Sequence, residues 1–378
     1  QLSGTIDSWK SRSEIKEKIG KPMYSITSYE KIKRMTILHN RLSKDELKQK
    51  LAEETFERTT ISFYRYVIIE NVSEFRDELY VRFAELECLG RIYVAREGIN
   101  AQMSLPTHNL DEFLNFLDTT GYLKDMPIKY AVEDDGKSFY KLIVRLRDRI
   151  LADGLEDDAY DVTNVGKHLS AIEFHDLAAD EETLIIDMRN SYESEIGHFE
   201  NAVCPDADTF RDEIQMVTDE FKNQKDKKVL LYCTGGIRCE KASAYMKHMG
   251  FKDVNQLHGG IIEYARQINE ANLKSRFVGS NFVFDNRMSE SIDDQIISNC
   301  HQCGEPSSTH VNCANDACHL LFIQCESCAK TNNGCCSEEC NGFIELPDEV
   351  QKDLRKTKIF NGTTNGYRSL RKRLENSK

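Results

Sequence analysis

The 378-residue chain lacks most of the segments that would carry it to a membrane or bind a redox cofactor. No run approaches the roughly 18 apolar residues of a membrane-spanning helix. The first residues, QLSGTIDSWKSR, show no charged start followed by an apolar core, so they do not read as a signal peptide. No Gly-x-Gly-x-x-Gly follows a strand pattern, so no flavin or nicotinamide fingerprint is visible, and no facial His/His/carboxylate set offers a site for Fe(II). There is one tryptophan, Trp9. What remains is a globular composition, 40% hydrophobic and 30% charged, on a chain long enough for two or three domains. We read it as cytosolic.

Cysteine is plentiful and unevenly placed. Of 13 cysteines, nine lie between residues 300 and 340 in short pairs, which is a metal-site pattern rather than a spread framework of bridges. Charge is uneven too. The net −13 divides into +4 on residues 1–34, +6 on residues 349–378 and −23 between them. Basic ends on an acidic body could grip RNA phosphates, with binding that weakens as salt rises; solvated, disordered ends are the alternative.

Along the chain, residues 1–34 read as an extension or flexible tail and residues 35–147 as a first domain. Within it, ISFYRYVII is a strand and VSEFRDELYVRFAELE a helix with apolar positions at Phe75, Leu79, Phe83 and Leu86. GRIYVA and GINAQMSL follow as strands, NLDEFLNFLDTT as a helix and SFYKLIVRLR as a closing strand. The order βαββαβ is the ferredoxin-like plan, which hosts many functions. An acylphosphatase would need an arginine in its first loop to grip phosphate, and IENVSE has none. Residues 148–167 read as a linker. From 168 to 280, short buried strands alternate with helices, predicting a parallel α/β sheet whose functional loops lie at the carboxyl ends of its strands. Residues 281–346 form a cysteine-rich segment and residues 347–378 a basic tail. The expected class is therefore a multidomain α+β and α/β protein.

Cys233 ends the strand KVLLYC, and Thr234, Gly235, Gly236, Ile237 and Arg238 lead into a helix. Two glycines let successive N–H groups turn inward as an anion nest, the helix start adds positive potential, and Arg238 adds a fixed charge. Cys233 is thus expected to be a nucleophile of low pKa, with Arg238 holding the loop or an oxyanion. Cysteine-type protein phosphatases place five residues between Cys and Arg and usually have His before the cysteine. Here there are four residues, after Tyr232, and the tighter ring suits the terminal sulfur of a persulfide. Cys239 could resolve an oxidised Cys233, or be buried as a small apolar residue.

The cysteine spacing, Cys300-x2-Cys303-x9-Cys313-x4-Cys318-x6-Cys325-x2-Cys328-x6-Cys335-Cys336-x3-Cys340, offers eight paired thiolates, enough for two tetrahedral Zn²⁺ sites. Cys300 and Cys303 would join Cys325 and Cys328, and Cys313 and Cys318 would join Cys335 and Cys340; a sequential pairing is equally writable. His301, His310 or His319 could replace a cysteine. Disulfides and an iron–sulfur cluster are the other readings.

The cysteine loop, DMRNSYESEIGHFENAV (187–203) and GFKDVNQLHGGIIEYA (250–265) resemble the rhodanese family. In that family's pattern Cys233 is the catalytic cysteine and Arg238 the loop arginine. Asp187, Arg189 and His198 read as braces of the loop and sheet edge, since paired charges near a site are often structural, with action on the substrate as the alternative. A fuller resemblance runs from MTILHNRLS, at Met35, to CCSEEC (335–340). It takes in RTTISFYRY, REGINAQMS, DDGKSFYKL, DRILADG, NFVFDNRM and NCANDACHLLFIQCESC, roughly 300 residues in all. Over this span the chain resembles the bacterial rhodanese-domain tRNA uridine hydroxylases. The resemblance implies oxygen-dependent conversion of the wobble uridine in the tRNA anticodon loop to 5-hydroxyuridine, with Cys233 forming a persulfide.

Neither the electron donor nor any sulfur donor is legible. A sulfur species on Cys233 could be oxidised and act at uracil C5, or the cysteine could add to C6 and make C5 nucleophilic. Tyr192, Phe199 and Arg96 are candidates to stack on the splayed base, with core packing as the alternative for each. The competing functions are a sulfurtransferase passing sulfane sulfur from Cys233 and a non-catalytic RNA- or protein-binding scaffold. An intact Cys233 and Arg238 count against the scaffold.

Overall fold

In the computed structural model of the chain, residues 42–134, 136–156, 159–358, 360 and 362 are described. The expected N-terminal tail, residues 1–34 with Trp9, lies outside them, as do Met35 and the rest of residues 35–41 at the start of the first domain and residues 363–378 of the basic tail. The first helix, α1 (Lys44–Glu53), is opened by a Ser43 capping box with Glu46.

The first sheet contains β1 (Arg58–Tyr66), β2 (Leu89–Ala95), β3 (Gly98–Pro106), β4 (Lys129–Tyr130) and β5 (Leu142–Leu146), in the order β4-β1-β3-β2-β5. Helix α2 (Val72–Glu85) buries Phe75, Leu79, Tyr80 and Phe83, and α3 (Leu110–Thr119) buries Phe113, Phe116 and Leu117. This is the expected βαββαβ order with one correction. The strand expected to close it is β5, which lies at the far edge, parallel to β2. The place beside β1 is taken by the two residues of β4, antiparallel to it. That short strand is held at Ser62 and Ile61. Too short to show alternation, it left no signal in the pattern.

The second sheet is parallel, ordered β6-β10-β9-β7 from β6 (Lys167–Leu169), β7 (Leu184–Asp187), β9 (Lys228–Tyr232) and β10 (Asp253–Leu257). Successive side chains of its strands alternate between two cores. Ile186, Val229 and Leu231 pack with Phe210, Ile214, Val217, Ala242 and Met246, from α6 (Phe210–Glu220) and α7 (Ile237–His248). Ile185, Leu230 and Tyr232 pack with Phe174, Ile261 and Tyr264, from α4 (Ala171–Leu177) and α8 (Gly260–Glu270). Between β7 and α6 lie the short α5 (Ser191–Ser194) and β8 (Gly197–Phe199). β8 pairs with β11 (Phe277–Phe282), which also pairs with β12 (Ser289–Ser291).

The cysteine-rich segment is a hairpin of β13 (His310–Asn312) and β14 (Leu321–Ile323), followed by α9 (Glu326–Thr331), α10 (Glu338–Ile344) and α11 (Asp348–Leu354). Helix α11 occupies the start of what reads as a tail, and Phe360 is buried with its ring 4.6 Å from that of Phe343. The described residues contain no helix long and apolar enough to cross a membrane.

Candidate active site and cysteine clusters

Cys233 follows the last residue of β9, and α7 begins four residues later. The turn is possible because Gly236 stands at φ 97°, and a Cβ there would come within 2.9 Å of Tyr64 Oη. Gly260, at φ 70°, lets the start of α8 close over the loop, where a Cβ would lie 2.5 Å from the Cys233 carbonyl oxygen. The Gly236 N–H donates to Cys233 Sγ at 3.1 Å. Cys233 has no exposed surface, and burial alone would push its thiol up. The Cys239 thiol, the Arg238 charge and the amides of Cys239 and Arg238 outweigh burial and bring it down to about 6. The thiolate is the reactive form, so Cys233 alkylation is expected to be half-maximal near pH 6 and to fall below it, in a pH series read by peptide mass. A profile centred near pH 8.5, the ordinary thiol value, would remove the anion nest.

Arg238 does not point at the sulfur. Its guanidinium is held by both oxygens of Glu193 on α5, at 2.5 and 2.9 Å, with Thr234 Oγ1 at 3.4 Å. It braces the loop and acts on Cys233 through its charge. Asp187 and Arg189 form a second pair without exposure, at 2.8 and 2.6 Å, and Tyr232 Oη donates to Asp187 at 2.8 Å. The pair spans from the end of β7 to the Gly197 carbonyl oxygen, 2.6 Å from Arg189 Nη2. His198 Nδ1 lies 3.1 Å from the Phe199 carbonyl oxygen at the edge of that sheet. Tyr192 and Phe199 sit in the interior and cannot stack on an RNA base, because Tyr192 packs on Phe282, and Phe199 among Phe174, Tyr232 and Tyr264. Arg96 is exposed at the β2–β3 turn.

Several residues around the loop left no mark in the sequence reading, because the first sheet supplies or contacts them. Tyr64 and Tyr66 of β1 reach α7: Tyr64 Oη donates to Glu240 at 3.2 Å, and Tyr66 Oη to the Ile237 carbonyl oxygen at 3.5 Å. Glu240 also meets His168 Nε2 at 2.9 Å and Gln256 at 3.2 Å. Lys129 of β4 lies over the Tyr64 ring, 4.5 Å from its centre. Buried Lys241 on α7 bridges Asp153 at 2.9 Å and Glu97 at 3.1 Å, and also donates to the Leu151 carbonyl oxygen at 2.9 Å. The segment expected to be a linker is therefore tied at Ile150–Asp153 to β3 and its turn on one side and to α7 on the other. REGINAQMS and DRILADG each carry a carboxylate, Glu97 and Asp153, but Arg149 pairs with Asp153 from within the same segment, so neither pointed to Lys241.

The thiols of the C-terminal segment gather in two groups of four. Cys300, Cys303, Cys325 and Cys328 form one, and Cys313, Cys318, Cys336 and Cys340 the other; within each, every sulfur lies within 4.8 Å of the rest. Of the two pairings, the grouping follows the interleaved one, with Cys336 in the place expected for Cys335. Adjacent residues point apart, and Cys335 is instead buried in the core. Its carbonyl oxygen accepts from Gln302 at 3.0 Å and from Gln324 at 3.3 Å. Neither group contains a histidine; His301 is held by Glu195 at 2.8 Å. Sulfur–sulfur distances of 3.6, 3.7 and 3.8 Å far exceed a disulfide bond of about 2.05 Å. They fit the edge, about 3.8 Å, of a tetrahedron with metal–sulfur bonds of about 2.3 Å. The Asn315 side chain and the Gly362 amide donate to Cys340 and Cys318 at 3.4 and 3.3 Å, as outer partners of metal-bound thiolates do. Both groups could hold a metal ion.

A parallel sheet with helices on both faces, ending a central strand on a cysteine ringed by amides, defines a rhodanese-like domain. Family models agree: "Rhodanese-like domain" matches residues 170–267, "UPF0176 acylphosphatase like domain" residues 58–150, and "Rhodanase C-terminal" residues 278–341. The tRNA uridine(34) hydroxylase of Leptospira interrogans is 57% identical over 85% of this chain and 88% of its own. That of Yersinia enterocolitica is 51% identical over 86% and 95%. A solved rhodanese-like domain protein from Staphylococcus aureus is similar over 26% of this chain and 90% of its own, at 22% identity and a TM-score of 0.22. The chain belongs to the tRNA uridine(34) hydroxylase family.

Proposed function

We propose that this chain is an oxidoreductase that hydroxylates uridine 34 of tRNA at C5, with Cys233 as the reactive group. The observation that carries this is the Cys233 sulfur, which accepts from the Gly236 amide at 3.1 Å at the end of β9, in a chain 57% identical to a tRNA uridine(34) hydroxylase. In the overall reaction the C5–H bond becomes C5–OH. One atom of O₂ enters the base and the other leaves as water, with two electrons and two protons drawn from an external reductant. The residues of this chain bind and orient: Glu193 and Arg238 hold the loop, and Gly236, Arg238 and Cys239 hold the charge on sulfur. With Cys233 wholly buried, a persulfide would extend the reactive sulfur by one atom toward the mouth of the loop. The amide ring that stabilises a thiolate equally suits a persulfide anion.

The test is to incubate the purified protein with unmodified tRNA and a dithiol reductant, in air and under nitrogen, and to analyse the nucleosides by mass. A nucleoside one oxygen atom heavier at position 34, formed only in air, is expected. Thiosulfate-to-cyanide sulfur transfer with no change in tRNA would overturn the reading in favour of a sulfurtransferase.

We further infer that each four-thiol group holds a structural Zn²⁺ ion, since four sulfurs leave no open position for catalysis. The purified protein is expected to carry two zinc ions per chain. Cys336→Ser is expected to carry one and Cys335→Ser to keep two, in metal analysis after gel filtration. Equal loss in both variants would overturn the ligand assignment, and visible absorption from bound iron would overturn the metal.

A further inference from the structure

Three long cationic side chains surround the cysteine loop, and two are committed to carboxylates. Arg238 is held by Glu193, and Lys241 by Asp153 and Glu97. Lys129 has no carboxylate among the described residues. Its ammonium rests on the face of Tyr64, and its stem passes the loop, with Cδ 3.8 Å from where a Cβ would stand on Gly235. Burial pulls the ammonium down to about 8, against the attraction of Cys233, Glu240 and Glu263. A half-buried ammonium with no carboxylate in contact is costly, and a tyrosine face together with the more distant charge of the Cys233 thiolate returns only part of that cost. The two-residue β4 needs no lysine for its pairing. A charge kept there at a cost to the fold, beside the mouth of a reactive loop, is placed to meet a ligand.

Resting on the uridine reading above, we propose that Lys129 selects uracil at Cys233: its ammonium donates to the O4 carbonyl of the target base while Tyr64 offers that base a plane. In uracil, O4 is carried by the carbon next to C5. A ring that turns C5 toward the sulfur therefore turns O4 toward the same wall of the site, where Lys129 stands. Cytosine carries an amino group at that position, which would set donor against donor. A site built to hydrogen-bond one group rejects the analogue lacking it more strongly than an apolar pocket rejects a change of size. A base splayed from a single-stranded loop is normally received on an aromatic face, and Tyr64 is the half-buried ring beside Gly236.

The experiment compares the full chain with Lys129→Met, which keeps the length of the stem and its contact with Tyr64, and with Lys129→Arg. Each is measured for Kd with two anticodon stem-loops that differ only in U or C at position 34, for kcat/KM on the U34 stem-loop, and for thermal unfolding. The wild type is expected to prefer U34 by about tenfold or more. In Lys129→Met most of that preference should vanish and kcat/KM should fall by about tenfold or more, with unfolding unchanged; Lys129→Arg should retain the preference. An unaltered U34-to-C34 ratio in Lys129→Met, equal weakening toward both stem-loops, or no preference in the wild type would overturn the proposal. A wild type that leaves the U34 stem-loop unmodified in air would instead sink the uridine reading itself, before any variant is compared.

Discussion

Cys233→Ser is expected to reduce 5-hydroxyuridine formation by about a thousandfold or more while the protein keeps its fold. The substitution replaces one buried atom of similar size in a loop whose other interactions survive. Glu193 still holds Arg238, and Gly236 still turns at φ 97°. What disappears is the ionised sulfur. A serine hydroxyl does not ionise near neutrality without an adjacent base. Of the carboxylates around the loop, Glu193 is engaged by Arg238 and Glu240 by His168 and Gln256, while burial pushes Glu213 well above the usual carboxylate range, which makes it a poor base. Nucleoside mass analysis reads the activity, and thermal unfolding within about 2 °C of wild type checks the fold. Retention of a tenth of the activity by a well-folded Cys233→Ser protein would show that the oxygen chemistry is carried elsewhere.

Arg189→Met is expected to be the most damaging change away from the sulfur. Arg189 and Asp187 are both without exposure, and the guanidinium serves two Asp187 oxygens and the Gly197 carbonyl oxygen. Methionine fills much of the volume but leaves the Asp187 carboxylate with only the Arg189 amide and Tyr232 Oη. Breaking a buried ion pair by removing one partner costs about 3–5 kcal/mol. The unfolding midpoint should fall by roughly 10 °C, given about 2–4 °C for each kcal/mol in a domain of comparable size. A fall of less than 2 °C would mean that the pair is not what joins β7 to β8. Losing that joint should also loosen Glu193, which follows on the next turn, and with it the grip on Arg238.

The cysteine loop could be read from the sequence because its physics is local. A cysteine, two glycines and a helix start lie within six residues, so the amides that meet the sulfur come from its own neighbours. The paired cysteines were legible for the same reason, since a Cys-x2-Cys turn brings two sulfurs together whatever surrounds it. Such local signals do not fix which of two neighbouring residues faces a site. Whether Cys335 or Cys336 faces the cluster depends on how the turn after α9 enters α10, and spacing alone does not show that. Tyr192 and Phe199 look like aromatic side chains near a loop, yet both are consumed by packing between sheet and helix. Lys129, Tyr64 and Glu97 were invisible, because each meets the loop or its helix from more than a hundred positions away.

Local geometry in the sequence therefore determined the thiol at the head of the loop, the type of sheet that carries it and the supply of paired sulfurs. Tertiary structure decided which sulfurs share a site, that β4 rather than β5 lies beside β1, and that a tyrosine and a lysine from the first sheet stand by the loop of the second. The reason is the range of the forces. Turns and helix starts are set by hydrogen bonds among near neighbours, whereas the wall of a site built from two sheets depends on burial and charge pairing between segments that meet only once the chain has folded.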